Sequence, residues 1–563
     1  MKNPISGRRP VTATAFAAIA VAAASLLPIG YLFLTGTSLA DIRAQLAYSA
    51  TTGAIVQTVT LTLLVCVLTM VFGVGAAVLV TRTSVPAPRL LTVLFSIPLA
   101  IPGFVSAYAI YAAELTYAPR LGFVTSLPGA VIVLSLGLYP YVFLPCLIAL
   151  RNVDGSLEEV VRTLRHKRFS IFRTVSVPAL RPALAAGLLI VALHVLAEYG
   201  AMVQLGRSTL TTKIMAEMLD YGDYQSARSL SLLLAGISVL VLLGTRVISG
   251  RSAIDQVARG GSRPPRRSNL GHGRVPITVT ALIVPLLAVG PTVLMTTRGL
   301  VSAYQRSGPV WTDVGSALST TIGYAIAAAL IATLCALPVA WWVTRRPSIT
   351  SQLTERAVWL AHAVPSAILA LALVFLATRL VPTLYKTPVV LVAAYVILFL
   401  PLAVANQRVG LQAVRRSYED VAASLGSRPS GTFFRVTLPL ASPGFIAGAI
   451  LVALDASKEL TTTLMLLPFN ANTLSSKLWA TTNGESLDFT AAAPYAALLV
   501  LIGVVPVYLL VWHTLKQVPP ARPTVIDVKG GRVDGGGPGS SALTAVEESE
   551  MVLASTVGKL SRG

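Results

Sequence analysis

The chain has 563 residues, of which 54% are hydrophobic and only 12% charged, with a mean hydropathy of +0.74. A soluble surface of this size needs about a quarter of its residues charged, so a string of soluble domains is excluded. The 44 Lys and Arg against 23 Asp and Glu give a formal charge of +21; because they sit in short gaps between long apolar runs, they point to cytoplasmic loops of a membrane protein and not to nucleic-acid binding.

An apolar window of about 20 residues crosses the hydrocarbon. Such windows fall at 11–34, 54–80, 90–115, 128–150, 183–203, 228–248, 275–296, 315–343, 356–378, 388–406, 444–465 and 493–514, which predicts twelve spans. The first follows Lys2, Arg8 and Arg9 and has no clean small-x-small site before Tyr31, so it reads as an uncleaved anchor. Alternate gaps are rich in base, above all 151–181 (Arg151, Arg162, Arg165, Lys167, Arg168, Arg173, Arg181) and 408–435 (Arg408, Arg415, Arg416, Arg428, Arg435). The intervening gaps hold acids such as Asp41, Glu217, Asp220, Asp223, Glu485 and Asp488. This alternation places both termini in the cytoplasm of a multi-pass protein of the cell (inner) membrane. Cys66, Cys146 and Cys335 all lie in apolar runs with neither ligand spacing nor a disulfide framework.

Residues 249–274 form a basic, Pro/Gly-rich linker that divides the spans six and six, and the tail 520–563 has a disordered composition. A shift of 261 residues lays Leu150–Glu198 over Leu411–Glu459 without a gap, with 16 of 49 positions identical. Glu158/Glu419, Leu164/Leu425, Pro178/Pro439 and Glu198/Glu459 are among the matches. The chain is therefore expected to be all-α, with two fused copies of one membrane unit over 1–248 and 275–519. Six spans separate equivalent points, so the copies run parallel, related by an axis along the membrane normal.

The strongest part of the repeat lies in the basic gaps at 151–182 and 407–443. The second copy reads YEDVAASLGSRPSGTFFRVTLPLASP. Small Ala422 and Ala423 allow a short helix to approach a partner closely, Gly426 can turn the chain at φ > 0, and Pro439 is expected to stop a second short helix. The result is a helix–turn–helix knuckle across the cytoplasmic face.

This pattern resembles the EAA loop of ATP-binding-cassette (ABC) importer permeases, whose acid, small pair, Gly, aliphatic and Leu-Pro fall here on Asp420, Val421 and Ala422, Gly426, Val436, and Leu438 with Pro439. The first copy fits at Glu159, Val160, Val161, Val175, Val177 and Pro178 but has Arg165 where Gly is expected. The resemblance implies a type I ABC importer permease fold, two copies of a separate ATPase subunit and an extracytoplasmic solute-binding protein. It makes Glu158, Glu159, Leu164, Arg165, Pro178, Glu419, Asp420, Ala422, Ala423, Gly426, Leu438 and Pro439 the coupling residues. The segments Lys458–Val500 and LYPYVFLPCLIALRNVDGSLEE look like fused ferric-iron permeases, with thiamine and phosphonate permeases as relatives. The rival reading is a secondary transporter of the major-facilitator type; its signature would lie between spans two and three, where TRTSVPAPR is too short.

No ATPase is expected within the chain. The nearest approach to Gly-x4-Gly-Lys-Ser/Thr is VGKLS at 557–561, which lacks the first Gly and the hydroxyl. No catalytic triad, metal cluster or cofactor site can be assembled from the five histidines and three cysteines. Intramembrane ionisable groups are costly and mark pathways. His194 with Glu198, and their repeats Asp455 with Glu459, are spaced i, i+4, which puts each pair on one helix face, with His194 and Asp455 about 17 Å into the span. Two readings stand: the four groups line a cation path, or they pair with Lys458, helix ends or outside water and fix packing.

Overall fold

The computed structural model describes residues 9–34, 38–151, 153, 176–249, 268, 270–306, 310–483 and 489–516. Among them the regular structure is helical. The first half comprises α1 (Arg9–Leu34), α2 (Leu39–Ala47), α3 (Ser49–Arg82), α4 (Pro88–Ser96), α5 (Gly103–Tyr117), α6 (Leu127–Leu138), α7 (Pro140–Arg151), α8 (Val177–Ala197), α9 (Gly200–Gln204), α10 (Leu210–Leu219) and α11 (Tyr224–Ser249). The second comprises α12 (Arg274–Arg306), α13 (Val310–Arg345), α14 (Ile349–Ala363), α15 (Ser366–Leu380), α16 (Pro388–Ala413), α17 (Arg416–Ser424), α18 (Pro429–Thr432), α19 (Leu438–Lys458), α20 (Thr461–Leu466), α21 (Leu474–Thr482) and α22 (Phe489–Lys516). The described parts of the linker and the loop at 151–182 are confined to their ends, and the tail 520–563 lies outside the described residues.

Nine described helices are long and apolar enough to cross a membrane, and the number reaches twelve if each of three bent pairs is one span. The windows at 90–115 and 356–378 are thus not straight crossings. The first bends by 93° between Ala100 and Gly103, the second by 98° between Ala363 and Ser366. The cause is Pro102 and Pro365: each lacks an N–H, and the residue ahead of a proline is driven out of the helical region. Ile101 at ψ 123° and Val364 at ψ 131° obey that rule. The window at 128–150 bends by 46° at Tyr139–Pro140, whereas α16, its repeat, carries the matching Pro401 inside one unbroken helix.

Polar groups inside the apolar helices are satisfied locally. In α3 the hydroxyls of Thr58, Thr62, Thr69 and Thr81 donate to the carbonyls four residues back, at 2.6–2.8 Å. The repeat is visible even at this scale. The N–H of Leu210, opening α10, donates to Thr58 Oγ1 at 3.0 Å, and that of Leu474, opening α21, donates to Thr321 Oγ1 at 2.9 Å. Both short helices begin with a capping box, Thr209/Thr212 and Thr473/Ser476.

The first helix of each half packs on the other half. Ala18, Ala22, Ile29 and Leu32 of α1 are buried in the core built by α13, α14, α15 and α16. In return α12 packs against α4, α5 and α6 as well as α22. A cross-half core joins Phe104, Val105 and Tyr108 of α5 to Leu474, Leu478 and Trp479 of α21 and Tyr495 of α22. Residues 1–518 accordingly form one compact unit in which neither copy could fold apart from the other without exposing these faces.

Candidate functional site

The second knuckle is built from α17 outward. Nine residues make this helix, and it ends in a two-bond left-handed cap: the N–H of Gly426 donates to Ala423 O and that of Ser427 to Ala422 O, each at 3.0 Å. Gly426 has φ +81°. A side chain there costs about 1–2 kcal/mol, so the glycine that the sequence marked as a turn is a backbone requirement. Arg428 and Pro429 then start α18. Beyond it the chain does not stop at Pro439. A π-turn at Phe433–Thr437 joins α18 to α19, so that Pro429–Lys458 is one continuous helical rod. Pro439 occupies the first turn after the wide π-turn, where its missing N–H is tolerated.

Glu419 is the fastener. Its Oε1 accepts from Arg345 Nη2 at 2.6 Å and from Thr437 Oγ1 at 3.0 Å, with the Arg345 side chain 9% exposed and that of Glu419 21%. Arg345 ends α13, its Nη1 and Nη2 also donate to Val414 O at 3.3 Å, and its guanidinium lies 5.7 Å from the centre of the Trp341 ring. Trp341 meets Phe433 edge-on at 5.4 Å. One carboxylate thus ties the short helix, the π-turn and the end of a 36-residue helix into one piece. Asp420, Ala423, Gly426 and Pro439 are exposed, while Ala422 and Leu438 are half-buried. The same surface exposes Tyr418, Val421, Leu425 and Phe434. Tyr418 and Val421 of α17, with Leu425 just past its end, recur at i, i+3 and i+7 and make an exposed apolar stripe. That spacing was readable in the sequence; the Arg345 clamp was not, because Arg345 and Glu419 are 74 residues apart.

In the first knuckle Glu158, Glu159, Leu164 and Arg165 lie outside the described residues. Pro178 is exposed in the first turn of α8.

The four interior ionisable residues are brought to one region, but not on one helix face. α8 ends at Ala197 and α19 at Lys458, so Glu198 and Glu459 stand in extended backbone just beyond, at ψ 120° and 126°. Each turns onto the start of the next short helix. Glu198 Oε1 accepts the Ala201 N–H of α9 at 3.0 Å, and Glu459 Oε2 accepts the Thr463 N–H of α20 at 3.1 Å. Capping won over continuation because a carboxylate satisfies the free amides and positive end of the following helix. A second helix start flanks Glu198: a Cβ on Gly103 of α5 would lie 2.9 Å from its Oε2. His194 and Asp455 sit near the far ends of α8 and α19, about 26 Å from the first residues of those helices, beyond the depth expected from the window starts.

Asp455 Oδ1 lies 3.1 Å from Lys458 Nζ. His194 stacks on Tyr141 at 4.6 Å and is within electrostatic range of Asp455, Lys458 and His362 of α14. Its ring is exposed, with Nδ1 3.0 Å from Ile190 O. His362 was missed in the sequence; the first half has no ionisable residue at the matching position, so the repeat gave no signal. Among the described residues no three His, Cys, Asp or Glu side chains converge to hold a metal ion.

Past this cluster the halves close on each other. A Cβ on Gly200 would lie 2.6 Å from Leu460 Cδ2 and 2.7 Å from Phe104 Cβ, so only glycine permits the approach. Gln204 Nε2 donates to Thr482 Oγ1 at 3.1 Å, and Tyr199 and Trp479 rings lie 5.1 Å apart. The arrangement is therefore a seam closed at the far ends of α8 and α19, an ionisable cluster within it, and a clamped knuckle at the beginning of α19.

Comparison with known proteins adds the following. The chain matches the family model described as binding-protein-dependent transport system inner membrane component over residues 70–256 and 332–515, one match in each half. It is 31% identical over 495 residues to the Fe(3+)-transport system permease protein FbpB 2 of Haemophilus influenzae, covering 87% of this chain and 96% of the relative. It is 23% identical over 374 residues to the ferric transport system permease protein FbpB of Actinobacillus pleuropneumoniae, covering 63% and 54%. The molybdenum transport system permease protein ModB of Escherichia coli is 28% identical over 145 residues, covering 23% of this chain and 62% of the relative.

Proposed function

Because the chain belongs to the family of binding-protein-dependent transport system inner membrane components, we propose that it is the fused permease of an ATP-driven importer that carries ferric iron. The observation that carries the solute is the likeness to an Fe(3+)-transport permease along almost the full length of both chains; molybdenum permeases of Haloferax volcanii and Escherichia coli match 39% and 23% of this one. Both knuckles lie on the cytoplasmic face of the inner membrane, both termini are cytoplasmic, and each knuckle seats one of two ATPase subunits. A solute-binding protein docks on the opposite face.

The mechanism follows from the clamp. An ATPase cleft receives the apolar stripe Tyr418–Val421–Leu425, with Ala422 and Ala423 allowing close approach and Asp420 at its rim. The pull is carried by Glu419 to α13 through Arg345 and to the α19 rod through Thr437. Glu158 and Arg82 stand at the matching positions of the repeat in the first half, whose sequence carries Arg165 where the second copy has Gly426. Movement of α8 and α19 opens the seam at Gly200 and Leu460, and His194, Glu198, Asp455 and Glu459 line the path so exposed with a cation preference. ATP binding can shift this equilibrium only through contacts that differ between the two states. The test is hydrolysis by the ATPase subunits bound to this chain in nanodiscs. Ferric-loaded binding protein should stimulate it and thiamine-loaded binding protein should not; equal stimulation would remove iron as the solute.

A further inference from the structure

The two halves differ at one matched helix pair. In the second, α1 lies directly on α13, and Ala18 and Ala22 are buried in the same core as Ala325, Ala328, Ala329 and Ala332. Its counterpart, α12 beside α3, stands off and leaves a cavity of about 470 Å³. That is within the range of about 300–1,000 Å³ for small-molecule sites. Phe72 and Gly75 of α3, Phe95 of α4 and Ala281 of α12 line it, and the lining is almost wholly apolar. Val71 and Ile277 on its border are exposed, so it opens sideways to whatever surrounds the helices, which for a membrane chain is lipid.

The cavity has a charged end. It lies towards the end of α3 and the start of α12, where the linker is stitched down: Ser268 N–H donates to Arg82 O at 2.7 Å, Ser84 N–H to Ser268 O at 3.1 Å and Leu270 N–H to Ser84 Oγ at 3.2 Å. Exposed Arg274 precedes Ile277 by three residues on α12, and exposed Arg89 precedes Phe95 by six on α4. An apolar slot with an exposed arginine at the start of two of its helices, α4 and α12, matches an acyl chain ending in a phosphate, and basic pockets between helices on the cytoplasmic side take anionic headgroups.

We infer that this cavity is a binding site for one anionic phospholipid of the leaflet on the knuckle side, its acyl chain between α3 and α12 and its phosphate between Arg89 and Arg274. The lipid replaces the direct helix contact that α1 makes with α13, and it braces α3, which ends in the partner position of the Arg345 clamp. The placement in that leaflet rests on the orientation proposed above; the selectivity does not.

The test is native mass spectrometry of the full chain with its ATPase subunits, delipidated and titrated with phosphatidylglycerol or phosphatidylcholine. One phosphatidylglycerol per chain should be retained at a concentration at least about tenfold below that for phosphatidylcholine, and free glycerol phosphate should not compete. Arg89→Gln and Arg274→Gln should each weaken phosphatidylglycerol about fivefold and leave phosphatidylcholine unchanged. Gly75→Leu should exclude both lipids, since a Cβ at Gly75 meets nothing within 4 Å and the side chain would fill the slot. Equal affinity for the two lipids, displacement by glycerol phosphate, or indifference to the two arginine substitutions would overturn the site. Transport of iron plays no part in the readout, so failure here leaves the importer reading standing.

Discussion

The most searching perturbation is of the Arg345–Glu419 clamp. Replacing Glu419 by Gln keeps an acceptor for Thr437 but removes the charge opposite a guanidinium that is only 9% exposed. A hydrogen bond to a charged group contributes about 1.5–3 kcal/mol, and breaking a fully buried pair costs about 3–5 kcal/mol. Glu419 retains 21% exposure, so water recovers part of this, and a loss of about 2–3 kcal/mol is the expected magnitude. At about 1.4 kcal/mol per tenfold, the knuckle should detach from α13 some thirtyfold to a hundredfold more often. The assay is a double-mutant cycle of Glu419→Gln with Arg345→Met in the assembled transporter, read by ATP-driven uptake against ATP hydrolysis. Either single substitution should depress uptake while hydrolysis continues, and the double should be little worse than either. Additivity to within about 0.5 kcal/mol, or uptake that keeps pace with hydrolysis, would refute the clamp as the transmitting contact.

Other outcomes follow from the interior. Glu198→Gln and Glu459→Gln preserve an oxygen for the Ala201 and Thr463 amides, whereas Ala substitutions do not. If charge matters to the path, Gln alone should reduce iron uptake at least about tenfold without loss of thermal stability; normal uptake with Gln and a stability loss of about 1 kcal/mol with Ala would make both residues caps only. Asp455→Asn leaves the Lys458 ammonium without its partner and should lower uptake more than Lys458→Met, measurable by the initial rate; the reverse order would contradict a cation-preferring path. Ser38 backbone and side chain hold the Asp41 carboxyl below its usual range, with Gln225 adding a bond at 3.1 Å. This depressed group contributes above the unfolded value, so hydrogen-exchange protection of α2 should fall as pH drops below about 4, and Asp41→Asn should abolish that pH dependence.

The repeat, the turn at Gly426 and the grouping of the four interior ionisable residues were legible because each rests on spacing along one stretch of chain. What escaped was set by contacts remote in sequence or by local competition between helix ends. Periodicity cannot show that Pro102 and Pro365 bend the apolar windows 90–115 and 356–378 by more than 90°, since hydropathy is blind to direction. Nor does i, i+4 spacing reveal that Glu198 and Glu459 leave their helices to cap the next ones. Pro439 was read as a terminator because proline ends most helices, yet a π-turn absorbs the lost bond. The exchange of α1 and α12 between halves depends on which apolar face fits which groove, and a single-chain pattern carries no pairing information of that kind.

The central claim is coupled, ATP-driven passage of iron, and ATP-dependent uptake of radioactive ferric iron into proteoliposomes tests it most directly. The liposomes would hold this chain with its ATPase subunits, and the binding protein would be added outside. The control is Gly426→Val, chosen because a β-branched residue cannot take φ +81° without strain. Iron uptake that requires ATP and disappears with Gly426→Val is the predicted result. Uptake driven by a proton gradient without ATP, or ATP-driven uptake of labelled thiamine in place of iron, would contradict it.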